Sequence, residues 1–353
     1  MNDVLHIIDR DSPGSLLDQL SLLIEPGERI ASLGPPPQDW ATPTAVLPVH
    51  APLGQPRLCG RQLAALAGPG TILHAWSHAA ALAGDAISKQ RKAGLIWSLA
   101  QPPRGQSLRD ATRLAQSDET CLTVPTIACR QYLLNAGASE DSIRLLPPDA
   151  VPIDQRPTRR SRTRAMLGLE DRHRLIVAPG DITRDGGHKP ACWAFAILRQ
   201  VRNDLRLLLP GRTTSGHGVL SFAQSTGHGC DVFFTQGRIP PQDCLAAADL
   251  AVFCPIRDAD VYSLAAAMAA GLPIVASATS DIAETAPHEQ AAMLTQPADP
   301  RSAAAAILRL LEDAQLARRL QSQSLALAGR FAPCNARQVL QDLYAGHRAG
   351  ARA

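Results

Sequence analysis

Short apolar runs and helical patterns alternate along the chain. In the first half, apolar runs such as Val4–Ile8, Thr71–Ala75 and Gly94–Leu99 are each followed by a segment with apolar residues at helical spacing. The same alternation returns at Arg174–Ala178 and continues through the second half. Strands that alternate with helices in this way form parallel sheets covered by helices on both faces. The pattern therefore predicts an α/β fold.

A stretch of the second half, residues 247–285, contains a complete strand–loop–helix–strand unit. Asp249–Cys254 is short, apolar and closed by Pro255, which is typical of a buried strand. After a polar loop, Tyr262–Ala270 is rich in alanine and is followed by Gly271, so we predict a helix there. The loop follows the carboxyl end of a strand and leads into a helix N-terminus. Open α/β sheets bind ligands at such places, and a helix N-terminus favours phosphate.

The alternation is interrupted near residue 150. Residues 149–164 contain prolines and a basic run, and a length of 353 residues suits two domains. We therefore predict domains at residues 1–150 and 166–332. A linker at 151–165 joins them, and a helix lies within 333–353. The basic run is either the solvated face of a helix or a weak contact with anionic lipid headgroups. Its members are Arg156, Arg159, Arg160, Arg162 and Arg164.

Composition and charge limit the partners. The chain is 45% hydrophobic and 19% charged, which allows a sizeable core in each domain. The net charge of +3 is too small to argue for a nucleic-acid partner. The eight cysteines form no C-x-x-C pair and no Cys/His cluster with metal spacing, so we expect reduced thiols and no metal site. No signal peptide or membrane-spanning run is visible. This predicts a cytoplasmic protein, with at most a peripheral contact to the inner face of the membrane.

Several segments, taken in order, resemble the retaining glycosyltransferases of family four. One is GRIPPQDCLAAADLAVFCPIRDAD, followed shortly by AAMAAGLPIVAS. HIIDRDSPGSLLDQL and ILHAWSHAAALAG resemble the opening and fourth-strand regions of the same family. The resemblance runs the length of the chain and implies the GT-B fold, in which two Rossmann-like, doubly wound domains face each other across a cleft. It implies that residues 1–150 serve the acceptor and 166–332 the nucleotide sugar, while the final helix crosses back to the first domain.

The activity that this resemblance implies is transfer of a sugar from a nucleoside diphosphate sugar to a hydroxyl acceptor, with retention. No cofactor or divalent metal is implied, because the donor is itself a substrate and no acidic pair of the metal-holding type is visible. A second function from another class stays open. It is a catalytically impaired relative of the same fold that binds a sugar, a nucleotide or a partner protein.

The donor-site motifs of that family are altered in this chain. Its two acidic residues, eight positions apart, fall on Asp258 and on Ala266, which cannot bond a ribose. Its glycine before the phosphate-binding helix falls on Val261. Its Arg and Lys after the first strand of the second domain fall on Asp181 and Gly186. Since a diphosphate carries negative charge, Asp181 is expected to repel it.

Two residues are candidates for the chemistry, and eight for binding the donor. Asp258 is the remaining acidic residue of the family pair, and His78 follows a predicted strand near Trp76. The ordinary alternatives are a loop carboxylate for the first and a packed or solvent-exposed histidine for the second. In the same way, Gly14 could be a plain turn glycine and Lys189 a surface residue. The diphosphate is expected at the N–H groups that start the helix, and the base near the turn before Pro240. The binding candidates are Gly14, Arg184, Lys189, Arg238, Ile239, Val261, Tyr262 and Ser263.

Overall fold

The protein consists of two compact α/β units. The structure, a computed structural model, describes residues 3–37, 40, 44–49, 59–68, 70–215, 218–257 and 259–350. The first unit is formed by Met1–Pro148 together with Pro333–Ala353, and the second by Asp149–Ala332. Each contains one parallel sheet with helices between its strands, which confirms the predicted fold class.

The first unit is built on a seven-stranded sheet in the order β3-β2-β1-β4-β5-β6-β7. Its connections run outward in opposite directions from β1 and β4, so the topological switch point lies between these two strands. Residues on β1 and β4 are buried throughout, as expected for strands covered on both faces. The strands are β1 (Val4–Asp9), β2 (Arg29–Leu33), β3 (Val46–Val49), β4 (Ile72–Ala75), β5 (Leu95–Ser98), β6 (Thr120–Val124) and β7 (Ile143–Leu145). The helices are α1 (Gly14–Leu23), α2 (Gly60–Leu66), α3 (His78–Arg91), α4 (Gly105–Leu114), α5 (Ile127–Asn135) and α14 (Pro333–Gly350).

The second unit is built on a six-stranded sheet in the order β10-β9-β8-β11-β12-β13. Here the switch point lies between β8 and β11. The strands are β8 (Arg174–Val177), β9 (Leu205–Leu209), β10 (Val232–Phe234), β11 (Leu250–Phe253), β12 (Ile274–Ser277) and β13 (Met293–Thr295). The helices are α6 (Arg156–Met166), α7 (His188–Arg199), α8 (Gly218–Ser225), α9 (Pro241–Ala247), α10 (Val261–Ala269), α11 (Ser280–Thr285), α12 (Pro300–Glu312) and α13 (Ala314–Ala328).

Helix α14 packs within the first unit, against α1 and β4. It begins at Pro333, where a proline fits because the first N–H groups of a helix have no intrahelical partner. The hydroxyl of Tyr344 lies 2.7 Å from Nδ1 of His74 in β4, and both residues are buried. The guanidinium of Arg337 donates to the carbonyl oxygen of Leu22 at the end of α1.

The two ends of the second unit lie side by side. The N–H of Ala150 donates a hydrogen bond of 2.8 Å to the carbonyl oxygen of Phe331. The chain therefore leaves this unit next to the point at which it enters.

The basic run, predicted to lie in the linker and the first helix of the second domain with a solvated face, lies on helix α6, where ion pairs hold it. Arg159 and Arg162 both pair with Asp243 at the start of α9. Arg160 pairs with Asp249 at 2.7 Å and also donates to the carbonyl oxygens of Ala247 and Ala248. Because the arginines recur at helical spacing, they fall on the face of α6 that packs on α9. Their charges are therefore used in ion pairs within the second unit.

Among the described residues, the helices are all too short or too polar to span a lipid bilayer.

Candidate functional site

The switch point of the second unit brings two loops together at the carboxyl edge of the sheet. One loop, residues 178–187, follows β8, and the other, residues 254–260, follows β11. Ligands of open α/β sheets bind in the crevice that forms where the connections diverge. Arg184 and Lys189 lie on or just after the first loop, and Val261, Tyr262 and Ser263 directly follow the second.

The two loops approach so closely that glycine is required at two positions. The N–H of Ile256 donates to the carbonyl oxygen of Asp185 at 3.2 Å. Gly187 has φ +85°, and a Cβ there would overlap the carbonyl group of Cys254. A Cβ on Gly180 would lie 2.9 Å from Oδ2 of Asp260 and 3.6 Å from Oγ of Ser263. The backbone at Gly180 therefore lies directly against the first turn of α10.

Asp260 is a site residue that the sequence patterns did not identify. It is the N-cap of α10: its Oδ1 accepts from the N–H of Ser263 at 3.2 Å, and its Oδ2 accepts from the Ser263 hydroxyl at 2.7 Å. One of the N–H groups expected to hold a diphosphate thus holds a carboxylate of the chain itself. The signal was present in the sequence, since an Asp three residues before a Ser at a helix start is a capping pattern. Val261 and Tyr262 complete the turn, and both side chains are buried.

The charge of Asp181, which we expect to add repulsion toward a diphosphate, is paired with an arginine. Nη2 of Arg212 lies 3.1 Å from Oδ2 of Asp181, and the Arg212 N–H donates to Oδ1 at 3.2 Å. Arg212 follows β9 and so comes from a loop distant in sequence. The guanidinium of Arg212 therefore lies beside the loop after β8, in which the family pattern has an arginine and this chain has Asp181.

The two cations expected to replace the lost pair lie at the edge of this site. Arg184 is exposed, and its N–H donates to Oγ of Ser215 at 3.2 Å. Lys189 lies in the first turn of α7, and its Nζ is 4.9 Å from the ring centroid of Phe222 on α8. In this conformation the ammonium of Lys189 makes a cation–π contact. Their expected contact with a phosphate stays a prediction.

The turn expected to face the nucleotide base is fixed against the loop after β9. The N–H of Gly237 donates to the carbonyl oxygen of Pro210 at 2.7 Å. The Gln236 amide accepts from the N–H of Thr213 at 3.0 Å and donates to its hydroxyl at 2.9 Å. Arg238 is exposed, whereas Ile239 is 7% exposed. Arg238 therefore presents a polar group at this edge, and Ile239 contributes to the packing beneath it.

Asp258, the expected catalytic acid of this unit, lies outside the described residues.

His188 is a buried polar residue beneath the loop after β8. It starts α7, it is 3% exposed, and neither ring nitrogen has a hydrogen-bond partner among the described residues. Burial lowers the pKa of His188 to about 4, although the charge of Asp181 and the carbonyl groups of residues 178–180 oppose the shift. The imidazole is therefore neutral near pH 7.

The switch point of the first unit holds a second polar group. The carboxylate of Asp9 accepts from the hydroxyls of Ser12 at 3.1 Å and Ser77 at 2.8 Å, which ties the loop after β1 to the start of α3. Burial raises the pKa of Asp9 despite these hydrogen bonds. Gly14 is the first residue of α1 at this edge.

His78, the other catalytic candidate, follows Ser77 at the same edge. Its Nε2 lies 3.0 Å from Oδ2 of Asp110 on α4, and its ring stacks on Trp97 with centroids 5.6 Å apart. Its side chain is 34% exposed. His78 and Gly14 thus start α3 and α1 of the first unit, and the other described candidates lie in the second unit, at the loop after β8, the start of α10 and the turn after β10.

No group of three or more His, Cys, Asp or Glu residues suited to a metal ion is present in the part of the chain that the structure describes.

Part of the chain is similar to one family of known proteins. The model of the family described as "Glycosyl transferases group 1" matches residues 173–313, which include the switch point between β8 and β11. The chain is 22% identical over 191 residues, 54% of its length, to the putative glycosyltransferase EpsD of Bacillus subtilis. The match covers 50% of EpsD, so the chain spans about half the length of that relative.

Solved structures of similar fold cover the whole chain. HepE of Anabaena, crystallised in complex with UDP and glucose, is similar with a TM-score of 0.81 at 17% identity, covering 98% of this chain and 100% of HepE. Sucrose-phosphate synthase of Thermosynechococcus elongatus is similar with a TM-score of 0.75 at 16% identity, covering 99% of this chain and 100% of the synthase.

These comparisons show that residues 173–313 are similar to the group 1 glycosyl transferases and that the fold of the chain is that of the GT-B neighbours. The residues matched by the family model all lie within the second unit. This unit contains eight of the ten candidate site residues, and the other two, Gly14 and His78, lie in the first unit.

Proposed function

We propose that the protein is a glycosyltransferase that moves a sugar from a nucleoside diphosphate sugar to a hydroxyl acceptor, with retention of the anomeric configuration. The observation that carries the proposal is the switch point between β8 and β11, where the backbone of Gly180 lies against the first turn of α10. This switch point lies within the residues matched to the glycosyl transferases. Neighbours of the same fold have been solved with UDP and glucose and with UDP-glucose, which supports a donor of this class.

In this proposal the diphosphate lies at the start of α10, and the base lies near Arg238 and Ile239. An anion is favoured at a helix N-terminus because the first N–H groups point outward and carry partial positive charge. The Asp260 carboxylate, which accepts from the Ser263 N–H, opposes this anion by its negative charge. Arg184 and Lys189 supply the cations, and Asp258 and His78 take part in the chemistry.

The proposal is tested first by binding and then by turnover. Calorimetric titration with UDP, GDP and ADP should show that one of them binds. Replacing Arg184 and Lys189 together by Ala should abolish this binding, while replacing Arg318 and Arg319, two exposed arginines on α13, removes equal charge and should not. Asp258→Ala should reduce turnover of the matching nucleotide sugar more than binding.

The transferase proposal is wrong if no nucleotide or nucleotide sugar binds at millimolar concentration. NMR of the glycosidic linkage in the product decides whether the anomeric configuration is retained.

A second candidate function is favoured by the chain's own carboxylate in the donor site. With Asp260 on the Ser263 N–H and Ala266 in place of a carboxylate, the chain suits a catalytically impaired GT-B relative that binds a sugar, a nucleotide or a partner protein. Binding of a nucleotide sugar without any release of nucleotide, in the presence of a range of hydroxyl acceptors, would select this function.

We propose a cytoplasmic protein whose reaction uses no bound metal ion, as the family resemblance implies. Turnover unchanged by excess EDTA would agree with this, and turnover restored by a divalent metal would contradict it.

Any contact with anionic lipid headgroups is expected to be weak, because Arg159, Arg160 and Arg162 already pair with carboxylates. Sedimentation with vesicles rich in phosphatidylglycerol measures it.

A further inference from the structure

An imidazole and a carboxylate are held together at the switch point of the first unit. His78 begins α3 and Asp110 lies on α4, and Nε2 of the ring is 3.0 Å from Oδ2 of the carboxylate. A carboxylate only accepts hydrogen bonds, so the ring hydrogen in this contact is on Nε2. In the neutral ring the other nitrogen, Nδ1, then carries a lone pair.

Asp110 is held as an anion. It is 5% exposed, and burial works against its charge. Hydrogen bonds from Gln106 at 3.0 Å and from His78, together with the charge of Arg113, outweigh burial and lower the pKa of Asp110. A carboxylate in this state holds the Nε2–H of His78 strongly, since hydrogen bonds to ionised groups exceed neutral ones.

Trp97 fixes the plane of the same imidazole. The two rings stack with an interplanar angle of 17°, and Trp97 is 1% exposed, so its ring is a rigid surface. With one face on Trp97 and Nε2 on Asp110, the ring of His78 has one orientation. No partner for Nδ1 is present among the described residues, and the side chain remains 34% exposed. Nδ1 of His78 is therefore a hydrogen-bond acceptor with a fixed direction, and a hydroxyl group can donate to it.

We propose that Asp110 is a positioning residue that fixes His78 in the Nε2–H tautomer, so that Nδ1 accepts a hydrogen bond from a hydroxyl group of the acceptor substrate. This rests on the proposed function, because the hydroxyl is the one that receives the sugar. The position agrees with the role: His78 directly follows Ser77, which bonds Asp9 across the switch point. An anionic group is disfavoured at Nδ1, since it would face a lone pair.

The first experiment reads the tautomer of His78 from the ¹⁵N signals of the labelled full-length protein. We expect the Nε2–H form in the wild type and a mixture of both tautomers in Asp110→Ala. Asp118→Asn removes an exposed carboxylate just beyond α4 and is the matched control. The buried rings of His6 and His74 report whether each variant is folded. An Nδ1–H tautomer in the wild type, or no change in a folded Asp110→Ala, overturns the proposal.

The second experiment separates this inference from the proposed function. Methyl α-D-glucopyranoside, used as a hydroxyl probe, should shift the Nδ1 signal of His78 and leave that of buried His188 unchanged. No shift of the His78 signal up to the solubility limit of the probe overturns the hydroxyl contact. If UDP-glucose is turned over, Asp110→Ala should lower kcat/KM by roughly tenfold or more, with Asp118→Asn unaffected. A fixed tautomer with no turnover of any nucleotide sugar that binds contradicts the transferase proposal and supports the positioning role, whereas turnover with an unfixed tautomer does the reverse.

Discussion

Tyr344 and His74 share a hydrogen bond of 2.7 Å inside the first unit, although 270 residues separate them in the chain. The second ring nitrogen of His74 lies 2.8 Å from Oγ of Ser98 on β5. Both nitrogens of a fully buried imidazole are thus satisfied, one by the sheet and one by α14. Burial holds the pKa of His74 well below its usual value, so the ring is neutral and can take part in both bonds.

Tyr344→Phe should destabilise the first unit. The change removes only the hydroxyl and leaves Nδ1 of His74 buried without a partner, which typically costs about 1–3 kcal/mol. Hydrogen exchange of the β4 amides, followed in urea, measures the loss within this unit. Tyr132→Phe, on half-buried α5, is the control. Equal stability of the two variants would show that the bond between α14 and β4 contributes nothing.

Asp260→Asn should strengthen nucleotide binding. Asparagine caps a helix as well as aspartate does, so the fold of α10 is kept while the negative charge beside the expected diphosphate is removed. We expect the Kd for UDP to fall by about tenfold, which is roughly 1.4 kcal/mol. Asp299→Asn changes the N-cap of α12, which bonds Arg301 and Ser302 in the same way, and should leave the Kd unchanged. Weaker binding in Asp260→Asn would place the diphosphate elsewhere.

Gly187→Ala should be far more costly than Gly168→Ala. Both glycines have positive φ, +85° and +64°, but only at Gly187 would the new Cβ overlap backbone, that of Cys254. Gly168→Ala should cost about 1 kcal/mol from the backbone conformation alone. Gly187→Ala should cost roughly 3 kcal/mol or more, because the loop after β8 has to move away from β11. Thermal unfolding of the two variants compares them, and similar melting temperatures would contradict the close approach of the loops.

His188 should make the protein less stable in acid. Its folded pKa is about 4, below the unfolded value of about 6.5, so between these pH values the unfolded chain binds a proton that the folded chain does not. Stability from this group is complete above about pH 6.5 and is lost as the pH falls toward 4, by up to about 3 kcal/mol.

The test compares the free energy of unfolding of the wild type and of His188→Gln between pH 7 and pH 4. The variant cannot titrate at this position, so its stability should fall less steeply across that interval. His288→Gln, at an exposed position, is the control. Parallel curves for the wild type and His188→Gln would mean that the pKa of His188 is the same in the folded and the unfolded chain, which contradicts the lowered value.

Local sequence patterns were enough to predict helices and strands such as α10 and β11. The strand at Asp249–Cys254 and the helix at Tyr262–Ala270 lie within one or two residues of β11 and α10, because burial on both faces and glycine termination leave clear marks in a sequence. The cap at Asp260 was equally local and could have been identified from its spacing to Ser263.

The charge pairs could not be predicted in the same way. Arg212 follows β9, but it neutralises Asp181 in the loop after β8, and only the sheet order brings these loops together. Arg159, Arg160 and Arg162 of α6 likewise have carboxylate partners on or just after α9, more than eighty residues away. A count of charges along the chain therefore suggested a solvated basic run where the fold contains ion pairs.

The hydrogen bond between Ala150 and Phe331 has a consequence for the order of synthesis. On the ribosome, residues 149–332 emerge before α14 does, and a unit whose two ends meet can close on itself at that moment. The first sheet is translated earlier, but at that moment it still lacks helix α14, whose Tyr344 hydroxyl forms the hydrogen bond with His74. We therefore expect the nascent chain to complete its second unit before its first.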